Sequence, residues 1–196
     1  MKWRIVLVIT VIAALSSCIF TFHPLYSDDI LTDVPGLEGS FSKHDGFPQD
    51  SSEWIFTREQ KGTYQLRINQ KDNSGTMEVH AVLLGGEYFL DFSVDDVSSD
   101  CIPDFIGYHL VPMHSFGKVH VHEDKLALSF IDMDWAEENL SKHRIRIDHE
   151  TRFKDNNTEF ILLTASTEDL QKFVAKYARF DDAFDDPDIL NRISAQ

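Results

Sequence analysis

Cysteine is almost absent: the 196-residue chain has two, Cys18 and Cys101. Two cannot build a disulfide framework, so the fold must hold by its core. Positive charge is scarce as well. Eighteen Lys and Arg stand against 33 Asp and Glu, for a formal net charge of −15. A surface of that sign repels nucleic-acid phosphates and anionic lipid headgroups, and no nucleic-acid partner is expected. No internal repeat and no low-complexity linker divides the chain. A phosphate-cradling Gly-rich loop, a dinucleotide fingerprint, a nucleophile elbow and a paired-Cys zinc motif are all missing. Ser115 follows His114 directly, and adjacent strand residues point to opposite faces, so these two make no ready dyad. No cofactor is implied, and nothing positive points to an enzyme.

What is present begins at the N-terminus. Lys2 and Arg4 precede an apolar run, Ile5 to Leu15, followed by Ser16, Ser17 and Cys18. Charge, apolar core and small residues in that order make a secretory signal. The run is too short for a spanning helix, which needs about 20 residues. Leu15-Ser16-Ser17-Cys18 resembles the bacterial lipobox. The resemblance implies that Cys18 is acylated, becomes the first mature residue and anchors the protein to membrane. Several acyl chains on one residue anchor stably where a single chain does not. An uncleaved signal anchor, or a signal cut elsewhere, would leave a similar pattern without lipid. Ile19 after the Cys, rather than Asp, favours the outer membrane by resemblance to enterobacterial sorting. With Cys18 carrying lipid, Cys101 has no partner and reads as a buried structural thiol.

The expected organisation is a signal peptide over 1–18, a tether over 19–35, one β-rich domain over 36–180 and an acidic tail over 181–196. The domain shows alternation of period two. Tyr64, Leu66 and Ile68 alternate with Gln65, Arg67 and Asn69. Met77, Val79 and Ala81 follow, and Gly85-Gly86 joins them to Tyr88–Phe92 in a hairpin signature. Val119 and Val121 lead through Glu123-Asp124 to Leu126, Leu128 and Phe130. The pattern predicts a mainly β, α+β fold: an antiparallel meander of about eight strands closed as a barrel or stacked as a sandwich. A short helix is expected near 134–142, capped by Asp134. The clearest helix is expected near 167–179, capped by Ser166, with Asp169 in the reciprocal position. Further strands are expected at 108–113, 144–148 and 160–163, and a loose end or short helix at 189–193.

Eight strands followed by a helix and a strand resemble a lipocalin or wider calycin barrel. Gly39-Ser40-Phe41 falls where lipocalins carry Gly-x-Trp, with Phe in place of Trp. The whole chain also resembles small bacterial envelope lipoproteins that share a lipobox, a His-Pro-Leu-Tyr segment like 23–26 and a Leu-Leu-Thr-Ala-Ser-Thr-Glu-Asp-Leu-Gln-Lys-Phe segment like 162–173. That group implies a cell-envelope address and carries no activity to transfer.

Three constellations offer chemistry. His120 and His122 lie on one strand face, roughly 6–7 Å apart, and could chelate a metal if His80 or Glu123 supplied a third ligand. Val119 and Val121 are the better core face, which turns both histidines to solvent. Asp132 and Asp134 read as helix caps, and the Asp-rich tail lacks the spacing of a calcium loop. Tyr64, Tyr88, Phe92, Tyr108 and Phe130 are expected inward, either as ordinary core or as the lining of an apolar cavity. Three readings follow. The first is a non-enzymatic, lipid-anchored envelope protein that binds an apolar small molecule or a partner protein. The second is a structural or assembly lipoprotein with a filled core. The third is a metal-dependent enzyme using the histidines. In each, the lipid is the sole expected hold on the membrane.

Overall fold

The computed structural model describes residues 18–43, 52–71, 73–94, 112–155 and 157–193. The signal segment 1–17, the expectations placed on Cys101 and Tyr108, and residues 108–111 of the strand expected at 108–113 lie outside them. Eight strands close an antiparallel barrel in the order β11-β2-β3-β4-β5-β6-β7-β8. These are β2 (Gly39–Lys43), β3 (Ser52–Gln60), β4 (Thr63–Gln70), β5 (Asn73–Leu84), β6 (Glu87–Ser93), β7 (Ser115–His122), β8 (Lys125–Phe130) and β11 (Asp188–Arg192). A second layer contains β1 (Cys18–Thr21), β9 (His149–Lys154) and β10 (Asn157–Leu163), ordered β1-β10-β9. It also contains α1 (Met133–Ser141) and α2 (Thr167–Tyr177). The mainly β fold, the barrel and both helices are as the sequence pattern predicts.

The barrel register follows from alternation. Tyr64 pairs with Val79 and Val79 with Phe92, while Leu66 pairs with Met77. Val119 pairs with both Tyr88 and Leu128. These inward positions form one apolar cluster with Phe41, Phe56, Ala81, Leu90, Leu126 and Leu190. On the outside, Thr57, Glu59, Gln65 and Arg67 are exposed. Apolar inside and polar outside is the polarity of a barrel folded in water, and the inverse of one that spans lipid. Among the described residues no helix is long and apolar enough to cross a membrane.

Part of the outer face of β5, β6 and β7 is covered. Val82, Phe89 and Phe116 join a second apolar cluster with Leu25, Ile161, Leu163, Leu170 and Val174. This core lies between the barrel wall and the second layer. It explains why β6 is buried on both sides, from Phe89 to Ser93.

Several boundaries differ from expectation. The stretch 19–35 is built into the domain rather than serving as a tether. β1 runs parallel to β10, with Cys18 opposite Phe160, and Leu25 is fully buried. The stretch 181–196 contributes β11, which closes the barrel between β2 and β8. Leu190, apolar at the centre of that strand, faces the lumen. Residues 144–148 form no strand, and the pairing falls to His149–Lys154 instead. Helix α1 is capped by Asp132, whose side chain accepts from the Trp135 amide at 2.6 Å. Asp134 sits inside the first turn. Ser166 caps α2 as predicted, accepting from the Asp169 amide at 3.3 Å.

The Gly85-Gly86 turn joins barrel to helix. Both glycines have positive φ, +62° and +87°, as a two-residue hairpin with matching twist requires. A Cβ on Gly85 would stand 2.6 Å from the Ala175 carbonyl oxygen and 2.7 Å from the Ala178 Cβ. A Cβ on Gly86 would meet only the mobile Arg179 guanidinium. Gly85→Ala is expected to cost about 3 kcal/mol, and Gly86→Ala about 1 kcal/mol from backbone strain alone. Equal costs in denaturant melts would show that α2 does not rest on this turn.

Candidate functional site

The barrel lumen is the first place to look for a ligand, and side chains fill it. Tyr64, Phe41, Phe56, Leu66, Leu90, Leu126 and Leu128 are essentially fully buried. Of the expected cavity residues, Tyr64, Tyr88, Phe92 and Phe130 all pack in this cluster. The Phe92 and Phe130 rings meet at a tilt, with centroids 6.2 Å apart. One end of the barrel is plugged by the chain before β2. Val34 and Leu37 enter the cluster, and the Tyr64 hydroxyl accepts from the Val34 amide at 3.1 Å. Arg192 clamps this plug from outside, donating to the carbonyls of Gly36 and, at 3.0 Å, Glu38. Its guanidinium also covers the Phe41 ring at 4.5 Å.

The second place is a polar cluster buried outside the barrel, beneath residues 22–32. Asp91 is fully buried. One oxygen accepts from the Leu25 amide at 2.6 Å and the other from His114 Nδ1 at 2.7 Å. His80, the register partner of Asp91, lies flat against Tyr26, with ring centroids 3.6 Å apart. Its Nδ1 is buried without a hydrogen-bond partner, as is the hydroxyl of neighbouring Thr63. Burial holds the His80 pKa below the ordinary histidine value, against the opposing pull of Glu78 and Asp91. Asp91 and His114 resemble the orienting half of a catalytic dyad, but the arrangement is locked and structural. Both carboxylate oxygens are spent on holding chain segments together.

The three histidines expected to share a metal are not brought together. His120 and His122 are exposed on β7, facing away from the buried Val119. His80 sits under Tyr26 at the level of Asp91 and Phe116. His120 is four residues beyond Phe116, roughly 13 Å along the strand, and its nearest carboxylate is Glu87 at 3.5 Å. Among the described residues no group of three His, Cys, Asp or Glu could hold a metal ion.

The third place is a groove of about 300 Å³ between α2 and residues 145–148. Phe173 and Tyr177 form its aromatic wall, and its rim carries three cations, Arg146, Lys172 and Lys176, against two carboxylates, Asp148 and Asp169. Tyr177 is the hub of an aromatic strip, with Phe173, Trp135 and Phe180 at 5.3, 5.2 and 5.5 Å. Phe180 is 54 % exposed. Lys172 is tied to Glu168 and Asp169. Arg146 and Lys176 have no ion-pair partner among the described residues, and Lys176 lies over the Tyr177 ring at 4.8 Å. The acidic residues around the N-terminus of α1 behave differently. Partial burial, a hydrogen bond to Asp132 and the charges of Asp132, Asp188 and Asp134 push the Asp185 carboxyl up to about 6.

No protein-family profile, curated protein or solved structure matches the chain.

Sequence reasoning missed the Asp91 cluster and the groove. A signal for the first was present: a lone carboxylate inside Tyr88-Phe89-Leu90-Asp91-Phe92 must find partners if that strand is buried. The groove joins residues far apart in sequence and left no local mark.

His80 and Asp185 give opposite pH dependences. His80 binds its proton less tightly folded than unfolded, so stability falls as pH drops below about 6.5. Asp185 binds its proton more tightly folded, so stability falls as pH rises from about 4 to about 6. His80→Phe keeps the stack on Tyr26 and removes an unpaired buried nitrogen. It is expected to stabilise by about 1 kcal/mol at pH 7.5 and by more at pH 5. Asp185→Asn should stabilise by about 1 kcal/mol above pH 6, after solvent screening of this exposed site, and by nothing below pH 4. Urea melts across pH check both; parallel pH curves for wild type and variants would contradict the assignment.

Proposed function

We propose that this is a lipid-anchored protein of the bacterial cell envelope, without enzymatic activity, that docks a partner protein in the groove beside α2. The observation that carries this reading is the contrast between the two apolar surfaces. The lumen is packed with its own side chains, whereas aromatic rings beside α2 remain partly open to water. Aromatic residues and Arg dominate binding energy at protein interfaces. On a chain of net charge −15, the unpaired Arg146 and Lys176 also favour a partner segment that is apolar with acidic neighbours. The reading of a barrel that carries an apolar small molecule has less support, because Tyr64, Phe92 and Phe130 occupy the space such a ligand needs. A metal-dependent enzyme has less still, because His80 is far from His120 and His122.

The anchor rests on the lipobox-like Leu15-Ser16-Ser17-Cys18. With the signal removed, Cys18 would be the first residue, and the envelope its address. The outer membrane follows from Ile19 if the cell has one.

A photo-crosslinking residue at position 176, in cells making the full chain, is expected to give a discrete protein adduct. The adduct should be lost in Tyr177→Asp. The same residue at exposed Arg67 should give none. Palmitate labelling should disappear in Cys18→Ser. Adducts of equal yield from both positions would remove the groove, and labelling that survives Cys18→Ser would remove the anchor.

A further inference from the structure

Cys18 is not separated from the folded domain by any linker: it is the first residue of β1, in register with Phe160 of β10. Because β1 and β10 are parallel, the end of the sheet from which the chain enters is also the end that carries the β9–β10 hairpin. Past the Cys18–Phe160 level, β10 extends back to Asn157 and β9 on to Lys154. Three residues of strand project roughly 10 Å. This projecting end carries Phe153, the most exposed large hydrophobic residue among those described, at 65 %. Arg152 and Lys154 flank it, with side chains 68 % and 70 % exposed. Glu159 lies 3.0 Å from Arg152 and 4.0 Å from Lys154, and Asp155 is exposed beside them. The tip is thus close to neutral on a strongly acidic protein.

We infer that the β9–β10 hairpin is a second membrane contact, which seats Phe153 at the headgroup–acyl boundary and Arg152 and Lys154 among lipid phosphates. The inference rests on the acylation of Cys18 proposed above. Acyl chains attached at Cys18 place the start of β1 at the bilayer surface. A hairpin that points the same way and reaches further must then enter the headgroup layer. Phe153 points to one face of β9 and Arg152 and Lys154 to the other; at a hairpin end that enters the layer end-on, the ring sits at the boundary and the long cationic side chains reach phosphate. Elsewhere the acidic surface is repelled by anionic lipid, which orients the molecule hairpin-down. The groove beside α2 is a separate surface and stays available to a partner.

The test uses the full-length acylated protein, its lipid verified by intact mass, in vesicles of phosphatidylethanolamine and phosphatidylglycerol. Phe153→Trp and Ile189→Trp each add one indole at an exposed apolar position. Ile189 lies on β11 of the barrel and is 42 % exposed. Replacing the lipid with its chain-brominated form is expected to quench the emission added at position 153 at least twofold, and to leave that added at 189 unchanged. Absence of quenching at 153 in protein of acylated mass overturns the hairpin contact while leaving the anchor intact. A mature protein without acyl mass overturns both.

Discussion

Asp91 has neither carboxylate oxygen open to water, and each oxygen holds a different piece of chain. Oδ2 takes the Leu25 amide and Oδ1 takes His114. Leu25 belongs to the segment that leads from β1 across the barrel wall, and His114 sits immediately before β7. The backbone of His114 also exchanges hydrogen bonds with Thr21 at the end of β1. One buried carboxyl group therefore fixes the N-terminal segment, the start of β7 and the second sheet to the same point on β6. Removing it would leave the buried Leu25 amide and His114 Nδ1 without partners, at about 1–3 kcal/mol for each group left unsatisfied. Barrel and second layer are one cooperative unit in which the N-terminal residues are as structural as any strand.

That coupling shapes where function can lie. The segment pinned by Asp91 continues through Thr32, which donates to the Ala81 carbonyl, into the plug formed by Val34 and Leu37. The lumen is thus filled from its walls and closed from one end. What remains for recognition is the outside: the groove beside α2 and the end of the β1-β10-β9 sheet. These surfaces have different chemistry. The first gathers aromatic rings and unpaired cations around Tyr177. The second places an exposed aromatic on one face of β9 and two cations on the other, at the end of the sheet where the chain enters the domain. A protein held at Cys18 would present both surfaces from one rigid body.

The barrel was legible in the sequence because each half-buried strand repeats every second residue. Tyr64-Leu66-Ile68 and Met77-Val79-Ala81 announce their inward faces, and the glycine pair at 85–86 announces the turn from the second of them into β6. Both helices were legible for a similar local reason: period and a capping residue close together. The errors have a common physical source. Strand β11 is short, and only Leu190 faces the lumen among Asp188, Asn191 and Arg192, so its polar composition resembles a tail. β1 is apolar and follows a signal-like run, so it resembles a tether. β9 has charged residues on its outer face and no apolar alternation. Each of these segments is a strand because a partner strand is waiting, and that information is not local. The helix cap shifted from Asp134 to Asp132 for a smaller reason: either carboxylate can cap, and the bond to the Trp135 amide decides. Tyr64, Tyr88, Phe92 and Phe130 pack in the inner cluster, and Tyr108 lies outside the described residues, but sequence could not say whether such aromatics lined a space or filled it.

The filled lumen is the claim on which the functional account turns. Its most direct test is native mass spectrometry of the protein released from its own envelope under mild conditions. The account predicts a mass equal to the mature chain plus the acyl groups on Cys18, with no further small molecule retained. A stoichiometric apolar compound that leaves only when the protein unfolds would contradict it, and would return the barrel interior to the centre of the function.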